Sequence, residues 1–213
     1  MTAWRALSGV ARVLAILVGV AAPGLSAAHP HAWIDLRSTV VLDSEGRAIG
    51  VRQEWLFDPL YSAIVAEDLG NSTQALEAHG RDVLDRLKAY DYYTQVRVDG
   101  EIQAPGIVSD FTTGLQSKQY WIRFLVPLST PVDPSVYALS YSVFDPTYYI
   151  EMLHLKDRPV DFIGVGRGRC VAQVEPPKPA ADAIMRARSL AVDARPDNSL
   201  GALFAERVVV GCK

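Results

Sequence analysis

Hydrophobic and polar residues alternate in two stretches of the chain, which is the pattern of half-buried β-strands. In residues 32–42 the even positions are mainly apolar and the odd positions mainly polar, and residues 49–57 repeat the alternation. A Ser-Glu-Gly turn at 44–46 separates the two stretches, which predicts a β-hairpin. Asp58 and Pro59 follow, a pair suited to the N-cap and the first turn of a helix.

The other elements are predicted from periodicity and from breaks at Gly and Pro. Helices are predicted over residues 60–69, 73–90 and 180–192, with a short helical piece at 200–205. Strands are predicted over residues 94–98, 106–114, 118–127, 137–144, 148–155, 160–165 and 207–211. Because strands with short turns dominate, we expect an α+β fold of mainly antiparallel sheet with two or three packed helices.

One short pattern occurs twice. Residues 55–61 and residues 142–148 each read as a strand that runs into Asp-Pro and is followed by an aromatic residue. Asp-Pro is a common turn opener, which is one explanation. The other is that two related strand–turn units place Asp58 and Asp145 at equivalent ends of the sheet.

Residues 1–28 have the composition of a secretory signal peptide. Two arginines precede an apolar run over residues 13–22, and small residues lead up to Ala28. This run is shorter than the roughly 20 residues of a membrane span, so we expect cleavage after Ala28 and no stable membrane insertion. The product is then a single periplasmic domain over residues 29–213, large enough to comprise two sub-lobes.

The charge balance and the two cysteines limit the partners and the cellular compartment that we expect. The chain has 21 basic and 24 acidic residues, and removing a signal with two arginines leaves 19 against 24, a balance of −5. Nothing in this balance indicates a nucleic-acid partner. The two cysteines, Cys170 and Cys212, both lie in the exported part, where a disulfide is expected. A metal site that uses both thiolates is the alternative.

The predicted mature terminus, His29-Pro30-His31, has the chemistry of a metal site. His29 would offer its α-amine and its imidazole, and His31 lies two residues on, on the same side of an extended chain. Pro30 has no amide N–H, which excludes a square-planar arrangement that uses the backbone amides. The two histidines cannot fill a coordination shell alone, so a more distant ligand must complete it.

The candidates for this closing ligand are His154 and three carboxylates, Asp145, Asp58 and Glu151. Each has a structural alternative, because His154 shares a parity with apolar residues and both aspartates suit turn capping. His79 lies at the edge of a helical apolar stripe, where a packing role is expected.

Several motifs together resemble a known family. They are the opening His29-Pro30-His31-Ala32-Trp33, the strand end at 57–59, the run over residues 144–151 and the closing residues 203–210 with Cys212. The chain resembles a bacterial family known as domain of unknown function one-thousand-and-seven, described as the periplasmic component of an ABC-type transport system. The resemblance implies a periplasmic accessory or binding protein, often associated with nickel- or cobalt-type metal transporters.

We therefore predict a periplasmic, non-enzymatic protein that binds a transition metal and exchanges it with an inner-membrane transporter. The predicted ligands are His29 and His31, with Asp145 or His154 as the closing ligand, and these suit nickel, cobalt, copper or zinc alike. Three alternatives stay open. They are a binding protein for an organic solute such as a polyamine, a copper oxidase with a histidine brace, and a structural partner of the permease. No serine nucleophile elbow is recognisable.

Overall fold

The computed structural model describes residues 30–190 and 199–213. The predicted signal peptide and His29 lie outside the described residues. The strands are β1 (Ala32–Leu42), β2 (Ala48–Phe57), β3 (Thr94–Val98), β4 (Glu101–Gln103), β5 (Phe111–Gln116), β6 (Gln119–Val132), β7 (Leu139–Val143), β8 (Ile150–His154), β9 (Val160–Ile163), β10 (Cys170–Glu175) and β11 (Arg207–Cys212). The helices are α1 (Pro59–Leu69), α2 (Thr73–Leu87), α3 (Ala181–Ser189) and α4 (Leu200–Leu203), with 3-10 segments at Lys88–Tyr93 and Arg167–Arg169.

The strands form two sheets, and the α+β prediction is confirmed. The first sheet has the order β5-β6-β2-β1-β8, with β9 pairing the second half of β1. The second sheet has the order β10-β11-β7-β3-β4. All pairs are antiparallel except β1 with β8 and β1 with β9. Strand β1 is thus long enough to pair two short strands in succession along one side.

The core lies between one face of the first sheet and the second sheet with its helices. Leu36, Val40 and Ile122 of the first sheet and Val96 and Val208 of the second are fully buried within it. Helix α1 packs against β6 and helix α2 against β5. The opposite face of the first sheet, which we call the outer face, carries the charged and polar positions of β1.

Several boundaries differ from the predictions. The helix predicted over 73–90 ends at Leu87 and continues as the 3-10 segment Lys88–Tyr93, in which the backbone leaves helical geometry from Tyr90 and has positive φ at Asp91 and Tyr92. The strand predicted over 106–114 begins only at Phe111. The short strands β4 and β10 were not predicted. The helix predicted over 180–192 is observed as α3, and residues 191–192 lie outside the described part of the chain.

Cys170 and Cys212 are directly paired across β10 and β11, and they form the expected disulfide, with their Cα atoms 4.0 Å apart. Such a bond is typical of proteins that function outside the cytoplasm. Among the described residues, no helix combines the length and the hydrophobicity that crossing a membrane would require.

Candidate metal centre at the start of strand β1

His31 directly precedes β1, and its position is fixed by the segment that leads into β8. The His31 backbone N–H donates to the carbonyl oxygen of Tyr149 at 2.9 Å. The two rings also meet, with centroids 4.9 Å apart. His31 has the same parity as Trp33, which is exposed on the outer face. Strand parity therefore assigns His31 to the outer-face end of the first sheet, where the residue is half-buried and its Nε2 is enclosed.

One of the four candidate closing ligands shares that face. Glu151 lies opposite Trp33 in the parallel β1–β8 pair, two residues along each strand from His31 and Tyr149. At ordinary strand spacings the Cα atoms of His31 and Glu151 are about 8 Å apart, which the two side chains can span with one metal ion between them. The Tyr148 hydroxyl donates to the Glu151 carboxylate at 3.3 Å. Burial is the largest cause, and the nearby Glu151 carboxylate the second, of a Tyr148 pKa raised to about 12.

Asp145 is placed close to the same sheet end, but its carboxylate is enclosed and hydrogen-bonded. It is 3% exposed and accepts bonds from the backbone N–H and hydroxyl of Thr147 and from the backbone N–H of Ile150. Burial and then this carboxylate raise the pKa of the Tyr93 hydroxyl above its usual value. Ligation by Asp145 would require breaking these bonds, so the geometry favours Glu151 over Asp145.

His154, the other predicted closing ligand, lies far from His31. It is opposite Leu36, five residues and about 16 Å further along β1. Its Nε2 is 2.8 Å from Ser38 Oγ, and its Nδ1 is 2.9 Å from Glu206 Oε2. Both ring nitrogens are therefore engaged on the core side of the sheet. The structure does not bring His154 together with His31.

The two Asp-Pro turns lie on either side of the start of β1. Asp58 caps α1 by accepting from the backbone N–H groups of Leu60 and Tyr61 at 2.8 and 3.0 Å, and it also receives the Trp33 N–H at 3.5 Å. The Asp145 turn precedes β8 on the other side of β1. The turns follow strands of different sheets, β2 and β7, so they are not equivalent ends of one sheet.

The side chains of Ser38, His154 and Glu206 form a chain of hydrogen bonds that the sequence analysis did not find. Its members are the same as those of a Ser-His-Glu hydrolase triad. Ser38, however, is 2% exposed, lies in the middle of β1 and points into the core. A nucleophile has to reach its substrate, so this arrangement joins β1, β8 and the segment before β11 and has no catalytic access.

His79 is also occupied internally, since its Nε2 lies 2.9 Å from the Tyr61 hydroxyl. Within the described residues, no group of three or more His, Cys, Asp or Glu side chains is close enough to hold a metal ion. Among the candidate ligands in the described part of the chain, His31 and Glu151 are the two that lie near each other at this edge of the sheet. The remaining donors of a complete shell would be those of His29.

Fold and site together define a two-sheet α+β protein with a disulfide and a half-buried histidine directly before its first strand. The chain belongs to the family described as "Protein of unknown function (DUF1007)", whose model matches residues 14–212. It is similar to an uncharacterised protein of Haemophilus influenzae, with 25% identity over 193 residues, 87% of this chain and 92% of that protein. No solved structure matches the chain significantly.

Proposed function

We propose that this protein binds a transition-metal ion at its mature N-terminus in the periplasm and exchanges the ion with an inner-membrane transporter. The observation that carries the proposal is the placement of His31 and Glu151 on one face at the start of β1. The disulfide supports function outside the cytoplasm. The transporter partner rests only on the transport-system resemblance given in the sequence analysis, since the family model itself is described as being of unknown function.

The proposed shell has three nitrogen donors and one oxygen donor. His29 contributes its α-amine and imidazole after signal cleavage, His31 contributes its imidazole and Glu151 its carboxylate. Pro30 keeps the backbone amide of the second residue out of the shell, because proline has no N–H to lose. Nickel, cobalt, copper and zinc all accept such donors, so geometry or supply would select among them. Binding requires deprotonated ligands and should weaken below about pH 6.

The test begins with the intact mass of protein purified from the periplasm, which identifies the first residue. The processed protein is then titrated with nickel, cobalt, copper and zinc, beside the His31→Ala and Glu151→Gln variants. Residues that merely support a metal ligand are typically worth 10- to 100-fold in affinity, so each variant should bind at least about tenfold more weakly. Glu101→Gln on the exposed strand β4 is the matched control and should leave affinity unchanged.

Two outcomes would overturn this assignment. One is a mature chain that starts at a residue other than His29. The other is equal metal affinity in the native protein and the His31→Ala variant. Copper-dependent oxidation of an added substrate would instead support the copper oxidase alternative.

A further inference from the structure

The outer face of the first sheet forms an open trough. Three adjoining cavities of about 400, 420 and 280 Å³ follow one another along β1 from Trp33 to Thr39. The first and second share Asp35, Leu56 and Gln119, while the second and third share Arg37, Glu54 and Arg123. We call this continuous surface the outer trough.

Arginines converge at the far end of the outer trough. Arg37, Arg52 and Arg123 come from the adjacent strands β1, β2 and β6, and Arg158 comes from the β8–β9 connection. The same cavity contains only two carboxylates, Glu54 and Asp161. This end is therefore basic, although the whole chain has a net charge of −3.

The ion pairs in this cavity leave arginine charge uncompensated. Glu54 accepts from Arg123 Nε at 2.8 Å and from a second nitrogen of the same guanidinium, and it lies 3.9 Å from Arg37 Nη1. One carboxylate thus serves two arginines, and Arg158 lies 4.0 Å from the exposed carboxylate of its sequence neighbour Asp157. Arg52 is half-buried and has no ion-pair partner in the part of the chain that the structure describes. A partly desolvated guanidinium without a carboxylate is a favourable place for an external anion.

An apolar platform adjoins the arginines. Trp121 pairs with Gly114 of the neighbouring strand β5, and its indole packs over this glycine. A Cβ atom added to Gly114 would come within 3.2 Å of the indole. The guanidinium of Arg123 lies 5.6 Å from the centroid of the same indole. Leu56 extends this surface in the same cavity. A planar or aliphatic group fits beside the arginines on this surface.

We propose that the outer trough binds a small organic anion, with its carboxylate or phosphate among Arg37, Arg52, Arg123 and Arg158 and its apolar part over Trp121. Guanidinium groups match both oxyanions through paired N–H donors. A polyamine would meet four like charges at this end of the trough. The proposal goes beyond metal binding and does not depend on it.

The experiment is calorimetric titration of the processed protein with phenyl phosphate, benzoate, inorganic phosphate and neutral benzamide. Phenyl phosphate or benzoate should bind, benzamide should not, and the tighter of the two anions identifies the preferred oxyanion. Arg52→Met should weaken binding at least about tenfold, as expected for a charge-assisted hydrogen-bonding group. Trp121→Leu should reduce the advantage of phenyl phosphate over inorganic phosphate, because it removes the platform.

Arg86→Met is the matched control, because Arg86 is an exposed arginine of α2 that pairs with Asp82 away from the outer face. Unchanged melting temperatures would establish that the variants fold. The proposal is overturned if neither anion binds at millimolar concentration, or if Arg52→Met and Arg86→Met bind alike. Nickel affinity should be the same in Arg52→Met and the native protein, so failure here is distinguishable from failure of the metal site.

Discussion

Replacing Glu206 with alanine should destabilise the fold substantially, because this carboxylate is the partner of two donors of one buried residue. Glu206 Oε2 accepts from the backbone N–H of His154 at 2.7 Å and from its Nδ1 at 2.9 Å. Each buried donor left without a partner costs about 1–3 kcal/mol. The two together predict a loss of about 2–6 kcal/mol in the free energy of unfolding.

Urea denaturation followed by circular dichroism measures this loss. Glu206→Gln keeps an acceptor oxygen and should lose less than Glu206→Ala, whereas Glu101→Ala on exposed strand β4 should change stability by less than about 0.5 kcal/mol. In a His154→Ala background the Glu206 substitution should lose much of its effect, since the two residues are in contact. A Glu206→Ala protein as stable as the control would refute the reasoning.

Three further predictions concern stability. Gly201→Ala should destabilise the protein by at least about 2 kcal/mol in urea unfolding, because the new Cβ atom would lie 1.8 Å from the backbone oxygen of Asp145. Gly211→Ala is the control and should be tolerated, since a Cβ atom there meets no other atom within 4 Å. Replacing Cys170 and Cys212 with serine opens a loop with a sequence separation of 42 and should cost about 4 kcal/mol by the same assay. Burial, followed by Tyr120, raises the Tyr61 pKa from 10.0 to about 12. Tyr61 should therefore ionise near pH 12 in the difference between native and Tyr61→Phe ultraviolet titrations, and its stabilising contribution is complete below pH 10 and lost as pH rises through about 12.

Local sequence signals predicted the parts of the fold that depend on neighbouring residues. The hairpin of β1 and β2 is recognisable from alternation and a turn, and α1 begins at the predicted Asp58 cap. Strand β3 has the predicted bounds, Thr94–Val98. These features arise from side-chain period and capping chemistry within about ten residues of chain.

Pairing between distant segments could not be predicted in the same way. Nothing in the short strands β8 and β9 indicates that both run parallel to β1 in succession. The hydrogen bonds of His154 reach Ser38 and Glu206 across 116 and 52 residues of sequence. The position of Glu151 beside Trp33 likewise required the register of β8 against β1, and the enclosure of Asp145 required the hydrogen bonds of its turn.

The two proposed sites should be thermodynamically independent, which gives a last test of their placement. Arg52 lies opposite Thr39, eight residues along β1 from His31, a separation of about 26 Å. Exposed charges separated by more than the Debye length of about 8 Å at physiological salt interact weakly. Phenyl phosphate should therefore bind nickel-saturated and nickel-free protein with affinities equal within about twofold. Because linkage is reciprocal, the anion should leave nickel affinity equally unchanged. A larger mutual effect would mean that the metal and the anion meet on the outer face, and that at least one site has been placed at the wrong end of the outer trough.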